Sequence, residues 1–288
     1  MSGVWCCYGL AVYWAMSVVP RDNRVRTARW ADLARELDRW EEAGRIATLW
    51  WRDDDAVRGN DSLDRLISIA DGIPISLAVI PAPAHPELAE WLAHPSRSAR
   101  AARIAILQHG WHHANHAGNG KKSEFPLSRS RFAAASDLAA GRVRLGMLFG
   151  ARALAVLVPP WNRLDASFIP LLIDSGLTGI SRVKPRPMAH PVPGVAEVNI
   201  HVDLVSWAGD RGFIGETAAL GAIIAHLRAR RLFEVDADEP TGILTHHLVQ
   251  DEQTEVFLRH LVALTRKHAA PLWLDAASVF PEAVCPPQ

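Results

Sequence analysis

The chain has 288 residues, is 49% hydrophobic and 22% charged, and its 31 Lys and Arg balance 31 Asp and Glu. This composition excludes a disordered or fibrous chain and describes a globular one, long enough to bury a sizeable core without disulfides. The zero formal net charge gives no electrostatic reason to expect nucleic acid or an anionic membrane as partner.

The first twenty residues, MSGVWCCYGLAVYWAMSVVP, are almost wholly apolar. The basic residues Arg21, Arg24 and Arg26 follow this stretch instead of preceding it, which is not the layout of a secretory signal. The stretch is also short for a membrane span, which needs roughly 20 apolar residues. Residues 1–27 therefore read as an apolar extension, either poorly ordered or wrongly assigned, or else a membrane-associated or atypical export segment, and the lack of a standard signal peptide favours a cytoplasmic location over export. Cys6, Cys7 and Cys285 have no metal-ligand spacing and are too few for a disulfide framework.

Trp30, Leu33, Leu37 and Trp40 recur at helical spacing and predict a helix from Ala28 to Ala43. A β-like run, Ile46 to Trp51, follows and stops at Arg52-Asp53-Asp54-Asp55. Further short apolar runs are Ile75 to Ile80, Ile104 to Leu107, Leu154 to Val158, Gly179 to Ser181, Val198 to Ile200, Gly242 to Leu244 and Leu272 to Leu274. Helix-compatible stretches lie between them, at Arg129 to Leu145, Ser167 to Asp174, Thr217 to Arg231 and Glu252 to Lys267. Buried strands alternating with helices indicate an α/β fold around a parallel sheet or barrel. No linker splits the chain, so residues 28–280 are expected to form one domain, with 281–288 as a tail. Polar residues gather just after the expected strands, at the end where such barrels carry their chemistry.

Five clusters carry that chemistry. In "WWRDDDA" (Trp50 to Ala56), three consecutive carboxylates repel one another unless a cation is close. Two of them could divide labour, one ligating a metal and the other acting as general base on water. "QHGWHHANHAG" (Gln108 to Gly118) holds four His in eight residues. His109 with His113, or His112 with His116, would face one way on a helical turn and grip one ion. "LVPPWNR" (Leu157 to Arg163) presents Trp161, either a stacking surface for a sugar or a core cap. "HVDLVSW" offers His201, Asp203 and Trp207 as a pocket wall. "GILTHHLVQDE" places His246 and His247 past a strand end, where strand alternation lets only one of them point inward as an acid.

In this order the clusters resemble the polysaccharide deacetylases, the NodB-homology or carbohydrate esterase 4 family. The similarity runs from about Thr48 to Leu248 through "RDDDA", "HGWHH", "VPPWN", "DLVSW" and "ILTHH". The resemblance implies a distorted (β/α) barrel and a metal-dependent hydrolase that removes an acyl group, N-acetyl above all, from a carbohydrate or a small N-acylated compound. It implies Asp54 as base and Asp55 as metal ligand, a one-residue shift giving Asp53 and Asp54 instead. It also implies His109 and His113 as metal ligands, His246 as acid, and Trp161 and Trp207 as pocket walls. Arg52 and Asn162 are expected to join them at the substrate. One divalent ion is implied, zinc first, with cobalt, nickel or iron as alternatives. Two departures stand out: Gly110 replaces the family's Ser or Thr, and Val158 replaces the Arg that orients the base, a charge that Arg52 or Arg163 could supply. Two rival readings are an amidohydrolase-type metallohydrolase acting on a small amide, and a glycan-binding barrel without turnover.

Overall fold

The computed structural model describes residues 27–94, 102–209 and 211–284. The apolar extension with Cys6 and Cys7, and Cys285, lie outside the described residues. Among the described residues no helix is long and apolar enough to cross a membrane.

Helix α1 (Trp30–Glu42) buries Leu33, Leu37 and Trp40 on one face, as their spacing predicts. Strand β1 (Ala47–Ala56) does not stop at Trp51 but runs on through the acidic residues. It is flanked on both sides, and the carboxylates that would break it each have a partner of their own. After β1 come α2 (Asp61–Ala70), β2 (Ile75–Val79), α3 (Glu87–Ala93), β3 (Ile104–His109), α4 (Arg131–Phe149) and β4 (Ala153–Val158). Next are α5 (Leu171–Asp174), β5 (Gly179–Ile180), β6 (Ala196–Glu197), β7 (Val202–Asp203), α6 (Glu216–Arg231) and β8 (Thr241–Thr245). Helix α7 (Glu252–Lys267), β9 (Pro271–Trp273) and α8 (Ala276–Val279) complete the order.

All named pairings are parallel, in the order β6-β5-β4-β3-β2-β1-β8-β7, with β9 beside β1. The sheet curls with helices around it, giving the distorted (β/α) barrel. Its two ends, β6 and β7, are only a few residues apart in sequence. Val198 and Ile200 donate N–H groups to Ile180 and Arg182 at 3.1 and 2.9 Å, while His201 and Leu204 donate to Gly242 and Leu244 at 2.9 and 3.0 Å. One segment thus changes partner midway and bridges the gap between the sheet's edges. The strand expected at Val198–Ile200 is therefore replaced by two short strands flanking it.

Alternation along β1 sorts its side chains. Leu49 and Trp51 pack against the helices, whereas Trp50 joins Leu107, Val156, Leu244 and Phe280 in the barrel interior. Arg52 and Asp54 follow Trp50 inward, and Asp53 follows Trp51 outward. The register with β2 then slips, Asp53 facing Leu77 but Ala56 facing Val79, so the bulged strand carries one extra residue. Asp55 sits in this bulge with φ 72°. At the other end of the chain, residues 281–283 form a turn of 3-10 helix with Ala283 buried, so the expected tail starts inside the packed structure.

Candidate active site

A cavity of about 590 Å³ opens among the strand ends; its lining includes Asp54, Asp55, His109, His113, Trp161, Asn162, Asp203, Trp207 and His246. The β1 bulge is what lets two consecutive residues, Asp54 and Asp55, both reach it. Asp53 points the other way: its carboxylate accepts the N–H of His247 at 3.0 Å and the Thr245 hydroxyl at 2.7 Å, and its Oδ1 lies 2.5 Å from His247 Nδ1. His246 lines the cavity while His247 is buried against Asp53, so the pairs Asp53–Asp54 and His246–His247 are each split between the cavity and the outer layer.

His109 ends β3, and its Nδ1 lies 2.9 Å from the Val158 carbonyl. A carbonyl only accepts, so Nδ1 carries the hydrogen and Nε2 presents a lone pair in the neutral ring. That Nε2 lies 3.2 Å from Asp55 Oδ1, and His113 Nε2 lies 3.4 Å from the same oxygen. Asp55 Oδ1 is buried without a hydrogen bond. An imidazole lone pair facing a carboxylate oxygen repels it unless a positive charge, a proton or a metal ion, lies between. Burial lowers the basicity of His109, but the Asp55 and Asp54 carboxylates outweigh burial and raise its pKa. Burial pushes the Asp55 carboxyl up, yet His109, His246 and His113 hold it well below the usual carboxylate range. His113 is lowered by burial and then by His109. The three ligand atoms lie within 4.8 Å of one another. Donors about 2.0–2.2 Å from one tetrahedral zinc sit about 3.3 Å apart, so this set fits such an ion.

The two histidines do not lie on a helix. The chain leaves β3 through Gly110 (φ 60°) and reaches His113 at φ 56°, a turn and not the expected helical i, i+4 pair. Buried Glu124 holds the turn, its carboxylate accepting the N–H groups of Trp111 and His112 at 3.1 and 2.8 Å. A Cβ on Gly110 would lie 1.9 Å from Glu124 Oε2, so this carboxylate fills the space that the resemblance assigns to Ser or Thr. Exposed His112 and His116 are not among the lining residues. Glu124 was not anticipated from the sequence; the glycine at 110 was its one trace.

Arg52 is fully buried and is not among the lining residues. It grips Asp54 with two parallel bonds, Nε to Oδ1 at 2.8 Å and Nη2 to Oδ2 at 2.9 Å. Its other donors reach Ser181 Oγ at 2.7 Å and Asn162 Oδ1 at 2.6 Å. Asn162 and Trp161 both have positive φ, 57° and 55°. Such strain costs of order 1–3 kcal/mol per residue and persists where surroundings enforce it; here the Trp161 ring packs 4.3 Å from that of His113. Opposite, Trp207 donates its indole N–H to Asp203 Oδ2 at 2.7 Å, and its ring meets His246 edge-on at 4.7 Å. Asp203 Oδ1 lies 3.9 Å from His246 Nδ1. Burial raises the Asp203 carboxyl, although His246 and Trp207 oppose this.

His201 does not join this wall. It stacks on His226 of α6, ring centroids 3.4 Å apart, near buried Glu239. These three also lie within mutual reach of one ion. However, His201 Nδ1 accepts the Gly242 N–H at 2.9 Å, so Nε2 carries the hydrogen toward Glu239 Oε2 at 3.2 Å and offers no lone pair to a metal. Burial, then Arg230, holds His201 near 3, and burial, then His201, holds His226 near 2. Burial pushes Glu239 up to about 7. Both histidines contribute stability that is complete above the ordinary 6.5 and lost as pH falls toward their folded values. Glu239 acts in the opposite sense, its contribution being complete below 4.5 and lost as pH rises through about 7. Between these limits the unfolded chain binds about one proton more than the folded cluster, a slope of up to about 1.4 kcal/mol per pH unit. His226→Gln is therefore expected to flatten the acid-side fall in stability. Urea unfolding at a series of pH values from neutral to mildly acidic tests this, and parallel slopes for variant and wild type would contradict it.

No protein-family model matches the chain, and no curated protein matches it. Among solved structures, a candidate polysaccharide deacetylase from Mycobacterium smegmatis is similar in fold, with a TM-score of 0.58 at 15% identity over 83% of this chain and 90% of that one. The catalytic domain of a peptidoglycan N-acetylglucosamine deacetylase from Eubacterium rectale scores 0.49 at 13% identity, covering 81% and 90%. A family 4 acetyl xylan esterase from Clostridium thermocellum scores 0.48 at 15% identity, also covering 81% and 90%. The first of these carries the fold assignment: the chain has the fold seen in that polysaccharide-deacetylase structure.

Proposed function

We propose that the chain is a metal-dependent hydrolase of the polysaccharide-deacetylase type, which removes an acyl group, N-acetyl first, from an amino sugar. The observation that carries this reading is the convergence of Asp55, His109 and His113 on one point, in a cavity that Asp54 and His246 also line. These three residues would hold one divalent ion, zinc first, with cobalt, nickel or iron as alternatives. When bound, the ion would polarise the acyl carbonyl and make a water more acidic.

The remaining work falls to side chains of the chain itself. Asp54 takes the proton from the attacking water. Arg52 offsets its charge and fixes both its oxygens, supplying the cation that Val158 does not. That clamp favours an active enzyme over a barrel that only binds glycan. His246, facing Asp203, protonates the departing amine. Trp161 and Trp207 offer flat walls to the sugar ring. Incubating the protein with N-acetylated sugars and, separately, with cyclic amides tests the reading. Acyl release from the sugars alone supports it, and hydrolysis of the cyclic amides alone refutes it in favour of the amidohydrolase type.

Glu124 is assigned a supporting role, because it ties down the turn that carries both histidines. Partners of this kind are worth about 10–100-fold in metal affinity. Glu124→Ala is expected to lose that much in a chelator-competition titration with zinc. Glu124→Gln, which keeps one accepting oxygen, should lose less. Unchanged affinity in the alanine variant would contradict the role.

A further inference from the structure

Three cations also line the cavity: Lys122, Arg163 and Arg211. Its acidic groups are committed elsewhere. Asp54 is gripped by Arg52, Asp55 faces two histidines, and Asp203 accepts the Trp207 indole and the Val205 N–H. None of the three cations has an ion pair with a described residue. Arg163 donates from Nη1 to the backbone carbonyl of Lys122 at 2.8 Å, which sets these two residues next to each other on the cavity wall. Arg163 also adjoins Trp161 and Asn162, so this pair stands on the wall where a stacked sugar ring would lie. Arg211 is on the segment that follows Trp207. With the three carboxylates already committed, cations without an ion partner on the cavity wall attract ligands of the opposite charge. A neutral sugar would leave the Lys122 ammonium and the remaining Arg163 donors without a counter-charge, whereas a carboxylate or phosphate would pair with them by charge-assisted hydrogen bonds.

We infer that the substrate is an acidic amino sugar, an N-acyl sugar bearing a carboxylate or phosphate that Lys122 and Arg163 hold. This rests on the deacetylase reading above, so the test reads binding apart from turnover. Zinc-loaded Asp54→Asn protein is titrated calorimetrically with N-acetylglucosamine, N-acetylmuramic acid and N-acetylglucosamine 6-phosphate. At least one acidic sugar is expected to bind about tenfold or more tighter than the neutral one, the usual worth of a hydrogen bond to a charged group. Added salt should erode that preference. Arg163→Gln and Lys122→Ala, each placed in the Asp54→Asn background, should weaken the acidic sugar about tenfold while leaving the neutral one unchanged. Equal binding of neutral and acidic sugars, no binding of either acidic sugar, or a preference that survives both substitutions overturns the inference. If the wild-type enzyme still releases acetate in any of these cases, the deacetylase reading stands and only the acidic substrate falls. If it releases none from any sugar while the preference holds, the catalytic reading falls alone.

Discussion

Replacing His109 with Ala is expected to empty the metal site and reduce acyl release to background. The ring is buried, and its orientation is fixed by the Val158 carbonyl behind it, so the substitution removes a pre-positioned Nε2. Loss of a partner that merely supports a ligand costs about 10–100-fold in metal affinity, and loss of the ligand itself should exceed that. The vacated space also costs stability, so His113→Ala provides the control. His113 is only partly buried, its side chain 24% exposed, and its removal should spare the fold while still removing the ion. Elemental analysis of tag-free protein alongside an acyl-release assay reads both effects. A His113→Ala variant that keeps its ion and full activity would refute the assignment.

Changing Arg52 should produce the other large effect, through a different route. Arg52→Met would leave Asp54, 1% exposed, buried without its counter-charge. Breaking a buried pair in this way costs about 3–5 kcal/mol, a large part of a typical domain's stability, so this variant should unfold at much lower urea. Arg52→Lys keeps the charge but cannot form two parallel bonds to one carboxylate. It should fold and keep its metal, yet lose kcat by a large part of the roughly 10²–10⁴-fold that a positioned general base contributes, with little change in KM. Unchanged kcat in Arg52→Lys would show that the orientation of Asp54 does not matter. A fall confined to KM would instead move Arg52 to substrate binding, the role expected of it from the sequence.

The strand-end clusters were legible because burial and alternation leave few places for ionisable residues in a barrel. "RDDDA", "HGWHH", "VPPWN" and "ILTHH" each supply a lining residue of one cavity. Sequence spacing could not show how they arrive there. Strict alternation forbids Asp54 and Asp55 from facing one side, and the bulge that permits it appears only in the pairing of β1 with β2. The four-residue spacing of His109 and His113 suggested a helix, but their rings meet through a turn with two positive φ angles. Between His246 and His247, alternation required a choice without making it; the Asp53–His247 contact takes one of them out of the cavity. His201 looked equivalent to Asp203, but the segment there is changing sheet partners and turns His201 toward α6. Of the two arginines that the sequence offered as the charge beside the base, Arg52 lies two residues before Asp54 on the same face of a strand, a period of two that favours it over Arg163.

Anomalous diffraction at the zinc edge, on crystals grown with zinc, tests the central claim most directly. The predicted result is one strong peak within coordination distance of Asp55 Oδ1, His109 Nε2 and His113 Nε2, with none beside His201 and His226. A peak only at the His201–His226–Glu239 cluster, or no peak at all with Asp55 and His109 still in contact, would contradict it.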